Sequence, residues 1–256
     1  MGIGKMRKHR EMLQHSILRH HLPETHWLTH QNALQMLKLY STIFIKPDHG
    51  SGGSGIIRAK RIKNGYEVRC GSKQTHAGSG SLYKTIQSYC QPSKRYLVQR
   101  GIHLAPYNGS IFDIRIYMQK PKKKWIISGM VARVAAPNLF VTNYQKGGFG
   151  VQLNQVLLNL FADREKVNTI RKKITNLSYL IARTMSKHHS FRELGIDIGI
   201  EKSGRIWIIE ANSKPGHKLF TQLADKTSLR KIKKNKRLIK REKLQIKKQR
   251  QQIIQT

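Results

Sequence analysis

Asp197 and Glu210 are the residues whose types and placement first suggest chemistry. They lie on two apolar runs, Phe191–Glu201 and Arg205–Glu210, on either side of Ser203-Gly204. With Ser203-Gly204 as a two-residue hairpin turn, Asp197 falls directly opposite Glu210. Asn212, two residues further, shares their face. Ile196, Ile198, Trp207 and Ile209 are then expected on the other face. Opposed carboxylates with Cβ atoms about 5 Å apart repel each other unless a cation sits between them. Two carboxylates and an amide oxygen are hard donors that suit Mg²⁺, which shares its shell with water and substrate phosphate. The chain has only 13 acids, so two in register on apolar strands are poor filler. A solvated hairpin face is the plainer alternative.

A second group is Gly50-Ser51-Gly52-Gly53-Ser54-Gly55, which follows Lys46-Pro47 at the end of the apolar run Thr42–Ile45. Small residues let backbone N–H groups close on phosphate oxygens, and Lys46 is placed to reach the same phosphates. The segment does not match the P-loop pattern. A strand follows it where a Rossmann turn requires a helix. Taken alone it reads equally as a hairpin loop. A third group is Asp113 and Arg115 on one strand with Arg133 on the next. Asp113 and Arg115 share a face and could be a simple surface ion pair. Arg133 interrupts the apolar run Gly129–Ala135, and its guanidinium needs a partner there. A phosphate or acyl phosphate fits its fork, and so does a structural carboxylate.

The elements that must hold these residues read as α+β, with antiparallel hairpins backed by helices. Helices are expected over residues 5–20, Asn32–Leu39, Ser81–Cys90, Val151–Phe161 and Arg164–Lys187, the first stopped by Leu22-Pro23-Glu24-Thr25. Strands are expected at Thr42–Ile45, Ile56–Ile62 and Tyr66–Cys70 (with an Asn64-Gly65 turn), Arg95–Gln99, Ile111–Gln119 and Lys124–Ala135. Four segments result: a helical lead-in (1–34), a unit with the glycine loop (35–105), a unit with the paired carboxylates (106–225) and a basic tail (226–256). The tail reads as a solvated extension or a basic amphipathic helix over Lys231–Gln252.

The formal charge of +36, from 49 Lys and Arg, implies an anionic partner. Residues 226–256 carry thirteen of these cations and one acid, Glu242. Nucleic acid is the less favoured partner, because aromatics make up only 7% of the chain and single-strand binders stack bases on aromatics. No apolar run reaches the ~18–20 residues that span a bilayer, and the N-terminus lacks a secretory pattern. Cys70 and Cys90, the only cysteines, give neither a disulfide framework nor metal-ligand spacing and fit a reducing cytosol. Six of the twelve histidines fall within residues 1–30 without a ligand spacing, and are expected as ordinary surface histidine.

Lys5-Met6-Arg7, Leu22–Thr25, Ile45-Lys46-Pro47 before the glycine loop, Tyr96–Ile102, Phe112–Arg115, Glu193–Asp197 and Ile209–Gly216 stand in the order found in the ATP-grasp superfamily. With Gly129–Ala135 and Val141-Thr142-Asn143 the chain resembles the YheC/YheD branch, associated with bacterial endospore coats. The resemblance covers about residues 4–225. It implies an ATP-grasp fold with ATP between two α+β subdomains. Lys5 and Lys46 would contact the phosphates under Gly50–Gly55, and Gln99 and Ile102 would flank adenine. Asp197, Glu210 and Asn212 would hold Mg²⁺, and Arg133, with Arg115 beside it, would serve the transferring phosphoryl group. The implied reaction is carboxylate–amine (or thiol) ligation through an acyl phosphate, in the cytoplasm, the mother cell or the spore coat. The alternative is a nucleotide-binding structural or assembly protein of the spore coat. Two departures stand out. Gln99 replaces the acid that many relatives carry, and the chain begins almost at the ATP-grasp unit. The substrate pocket is therefore expected to be incomplete, or supplied by a partner or a large acidic substrate, and the carboxylate substrate and its acceptor include an acidic peptide or polymer as candidates.

Overall fold

The computed structural model describes residues 3–50, 52–137 and 139–255. Helix α1 (Lys5–Leu13) and strand β1 (Thr25–Trp27) lead into α2 (His30–Leu39), whose first turn is capped by Thr29 accepting from the Asn32 amide. Strands β2 (Thr42–Pro47), β3 (Ile57–Ile62), β4 (Gly65–Cys70) and β5 (Lys73–Ala77), helix α3 (Leu82–Ser88) and β6 (Tyr96–Arg100) complete the first unit. Its sheet is antiparallel throughout, in the order β1-β6-β2-β3-β4-β5. Alternation buries Ile43, Ile45, Ile57, Ala59 and Val68 against α2 and α3.

The second unit holds β7 (Pro106–Tyr107), β8 (Ser110–Gln119), β9 (Ile126–Val134), β10 (Phe149–Val151), α4 (Leu153–Phe161), α5 (Arg164–His188), β11 (Glu193–Ile200) and β12 (Ile206–Asn212). Its sheet runs β10-β9-β8-β11-β12, again antiparallel, with β7 on β8. Phe112, Ile114, Ile116 and Met118 on β8 form one core with β11, α4 and α5. The alternate positions Asp113, Arg115, Tyr117 and Gln119 lie on the opposite face. The first two serve the site described below, and Tyr117 packs beneath the last helix, α6 (Thr227–Gln255).

The elements depart from expectation in four places. The first helix ends at Leu13 rather than residue 20, and a short 3-10 turn and strand β1 follow it. The β3–β4 loop is Lys63-Asn64, with Gly65 (φ +114°) already paired to Ile62. Strands β5, β7 and β10 carry no sequence signal strong enough to announce them. Residues 226–246 are not a solvated extension: Leu229, Ile232 and Ile239 are buried, and Asn235 donates to Ser128. Glu242 accepts from the Lys122 amide and pairs with Arg192. Only the face away from these contacts is a solvated basic stripe. Ile232→Ala is therefore expected to cost about 2–4 kcal/mol. Leu244→Ala, at an exposed position, should stay within about 0.5 kcal/mol. Paired urea titrations check this.

Candidate active site

The β11–β12 hairpin sets Asp197 opposite Glu210, as expected, by an unexpected route. The turn is not two residues. Glu201 pairs with Arg205 (3.0 Å), leaving a three-residue loop with Gly204 at φ +90°. Near the turn Ile198 faces Ile208. The register then shifts between Asp197 and Ile198, so that Ile209 is an extra residue on β12. The bulge restores the Asp197–Glu210 pair and turns the side chains before it over. Ile206 and Ile208, not Trp207 and Ile209, join Ile196 and Ile198 in the core. Ile209 lines the cleft between the sheets. Trp207 is covered by Arg100 and Arg205 (5.0 and 4.2 Å from ring centre to guanidinium carbon).

Asp197 is buried and engaged. Arg115 donates to it from Nε (2.5 Å) and Nη2 (3.0 Å), and Arg133 Nη2 lies 2.9 Å from its Oδ2. Arg133 also grips Asp113 through Nε (2.6 Å) and Nη2 (2.5 Å), and Thr142 donates to the same carboxylate (2.7 Å). The Asp113 and Arg115 side chains are thus a buried network, not a surface pair with each other. Of the two partners open to Arg133, the structure shows the carboxylate. Burial raises the Asp197 pKa, but Arg115 and Arg133 outweigh it and hold it at about 2.

Glu210 is freer. Its side chain is partly exposed, and Lys5 Nζ stands 3.7 Å from Oε1. Asn212 lies opposite Gly195 on the same strand. Glu210, Asn212 and the remaining lone pairs of Asp197 form an all-oxygen donor set, which fits Mg²⁺ completed by water and phosphate. Among the described residues no group of three His, Cys, Asp or Glu offers a rival metal site.

On the facing wall, Lys46 donates to Gln99 Oε1 (2.5 Å), and Gln99 Nε2 donates to Thr25 (3.0 Å). Burial is the main cause that lowers the Lys46 pKa to about 8. Glu210 acts against it and Lys5 adds to it. Lys5 donates to the Pro47 and Gly50 carbonyls (3.0 and 3.1 Å), which ties α1 to the start of the glycine loop. Gly50, Gly52, Gly53 and Gly55 all have positive φ. A Cβ at Gly52 or Gly53 would strike Gln145 or Asn143 at 2.0 or 2.4 Å. The loop therefore lies against a segment of the second unit, in backbone conformations that favour glycine. Ser54 is exposed on it, and Ser51 lies outside the described residues. Ile102 is partly buried on the hinge and does not line the cleft, whereas Gln99 does.

Two cleft residues have no counterpart in the sequence-based expectations. Lys8 donates to the Ala211 carbonyl (2.5 Å), between Glu210 and Asn212, and burial lowers its pKa. His9 is buried beside it, its pKa pushed down to about 4 by burial first and then by nearby cations. It is not a surface histidine. The available signal is the helical spacing of Lys5, Lys8, His9 and Met12, all of which line the cleft. The cavity holds about 30 Å³, room for a water or two. A nucleotide requires the sheets to separate.

A family model described as YheC/D-like ATP-grasp matches residues 2–239. It extends into α6, beyond the expected limit at residue 225. Endospore coat-associated protein YheD of Bacillus subtilis (strain 168) is 25% identical over 191 residues, covering 71% of this chain and 41% of that protein. Endospore coat-associated protein YheC of the same strain is 25% identical over 229 residues, covering 84% and 60%. The chain thus spans about half the length of these relatives. Among solved structures, D-cycloserine synthetase DcsG shares the fold at TM-score 0.55 with 11% identity, over 91% of this chain and 70% of that one. VanG D-Ala:D-Ser ligase from Enterococcus faecalis does so at 0.53 with 17% identity, over 84% and 53%.

Proposed function

We propose, because the chain belongs to the YheC/D-like ATP-grasp family, that it is an ATP- and Mg²⁺-dependent ligase that activates a carboxylate and passes it to an amine or thiol. The observation that carries this is the Asp197–Glu210 pair in register, with Glu210, Lys5 and Lys46 lining one cleft. Lys46 and Lys5 bind and orient the phosphates, and the loop amides close over them and exclude water. Asp197, Glu210 and Asn212 would hold Mg²⁺, which when bound supplies charge neutralisation on the phosphates. Arg133 and Arg115, paired with Asp113 and Asp197, hold the Asp197 carboxylate in place for the metal and leave it ionised. The substrate carboxylate oxygen attacks the γ-phosphorus as ADP leaves. The acceptor then attacks the acyl carbon, losing its proton as phosphate departs. Phosphate release that requires both a carboxylate and an amine or thiol from a defined panel tests this reading. Release independent of both would defeat it.

The second reading is a spore-coat structural or assembly protein that binds nucleotide without turnover. It is favoured by relatives named for the endospore coat. Among the described residues no helix is long and apolar enough to cross a membrane. Both readings share one pH signature. Phosphate binding requires protonated Lys46, whose pKa in the unliganded protein is about 8. MgATP affinity is expected to hold below pH 8 and to fall by up to about tenfold per pH unit above it. At pH 8 binding should take up about half a proton, measured by calorimetry in buffers of different ionisation enthalpy.

A further inference from the structure

The first sheet turns a second set of charges toward the cleft. Ile43, Ile45, Ile57, Ala59 and Val68 face its core, so Phe44, Lys46, Arg58, Lys60, Glu67 and Arg69 face the other way. Phe44, Arg58 and Arg69 stand side by side across β2, β3 and β4. Four cations on this face meet one acid, Glu67, which accepts from Arg58 Nη2 at 2.5 Å. Arg69 spends its Nε on the Gly71 carbonyl (3.0 Å).

Phe140, from the segment that joins β9 to β10, covers this row. Its ring lies 6.0 Å from that of Phe44, and the guanidinium carbons of Arg58 and Arg69 lie 5.0 and 5.6 Å from its centre. A cation–π clasp between the units explains that much. It does not explain Arg58 Nε, which is buried with no hydrogen-bond acceptor. Buried N–H groups of arginine are almost always satisfied. This one lies beside Phe44, whose ring stands 5.9 Å from Lys46 Nζ.

We propose that Arg58 and Arg69 form the seat of an oxyanion, either a carboxylate of the molecule being activated or the terminal phosphate of the nucleotide, and that Phe140 covers this seat and withdraws when the anion arrives. The guanidinium forks suit a planar or tetrahedral oxyanion, and an anion on Arg58 gives its Nε an acceptor. The proposal rests on the nucleotide reading of the neighbouring cleft and adds a second anion subsite to it.

The test is calorimetric titration of the full chain at fixed ionic strength with MgADP, with MgATP, and with glutarate in the presence and absence of MgADP. Arg58→Gln and Arg69→Gln are expected to weaken glutarate binding at least about tenfold and leave MgADP unchanged if the seat takes a substrate carboxylate. If it takes the terminal phosphate, they weaken MgATP by that factor relative to MgADP. Phe140→Ala, which leaves both arginines in place, is expected to tighten the same ligand several-fold. Failure of both arginine variants to alter glutarate binding or the MgATP/MgADP ratio, in proteins that melt like the wild type, overturns the seat. Absence of any nucleotide binding in the wild type overturns the nucleotide reading instead, and glutarate alone then decides the seat.

Discussion

Glu210→Ala is expected to abolish the proposed Mg²⁺-dependent ATP binding and to leave the fold standing. Residues that merely orient metal ligands are worth about 10–100-fold in metal affinity, so losing a ligand itself should cost at least about a hundredfold. The fold survives because Glu210 does little structural work. Among the described residues its one ion-pair contact is Lys5 at 3.7 Å, and Lys5 keeps its bonds to the Pro47 and Gly50 carbonyls. Partly exposed pairs of this kind contribute about 0–1 kcal/mol. Asp197 cannot serve as the test residue, because its removal strands the buried Arg115 guanidinium and takes one of two carboxylates from Arg133. The readout is thermal melting with and without MgATP. At a hundred times Kd a ligand adds about 2.7 kcal/mol, or roughly 5–11 °C for a chain of this size. The wild type should show that rise and Glu210→Ala should not. An equal rise in the variant removes Glu210 from the metal site.

The candidate site residues were legible where they lie on one strand pair, and less so where they depend on packing between elements. The Asp197–Glu210 pairing follows from counting along two strands. It survives a longer turn only because the bulge at Ile209 takes up the extra residue. No count could foresee that compensation, which depends on how Ile206 and Ile208 reach the core. Lys8 and His9 were missed for a related reason. Their helical spacing with Lys5 was present in the sequence, but whether that stripe met solvent or a cleft is set by where β12 lies. The basic tail was left open between a solvated extension and an amphipathic helix because its charges dominate its composition, and the structure forms the helix. Three well-spaced apolar residues, Leu229, Ile232 and Ile239, are enough to dock a helix whose other face is Lys and Arg. The choice of partner for Arg133 was open because both candidates are anions, and Asp113 stands directly across the strand pair.

Arg133→Met should be the most destabilising single change at the site. The side chain is buried and holds Asp113 with two bonds and Asp197 with one. Burial opposes its charge, yet Asp113 and Asp197 together drive its pKa upward. Methionine keeps much of the volume and none of the charge. Removing one partner of a buried ion network costs about 3–5 kcal/mol, because the remaining charges stay behind unpaired. For a chain of this size that lowers the melting temperature by roughly 6–20 °C. The pH dependence separates charge from packing. Asp197 ionises at about 2 in the folded protein against roughly 3.9 unfolded. Its depressed pKa stabilises the fold fully above the unfolded value, and that contribution, on the order of 2 kcal/mol, is lost as pH falls from about 5 toward 2. In Arg133→Met Asp113 is left without a cation and Asp197 with Arg115 alone, so the Asp197 pKa rises. The stability deficit relative to wild type should therefore be largest at neutral pH and shrink as pH falls through the carboxylate range. Asp113→Asn placed on the Arg133→Met background should restore part of the loss at pH 7, because it removes one of the stranded charges. A deficit that stays constant from pH 7 to pH 4, with no rescue by Asp113→Asn, would assign the loss to packing and remove the charge network as the element that holds Asp197 in place.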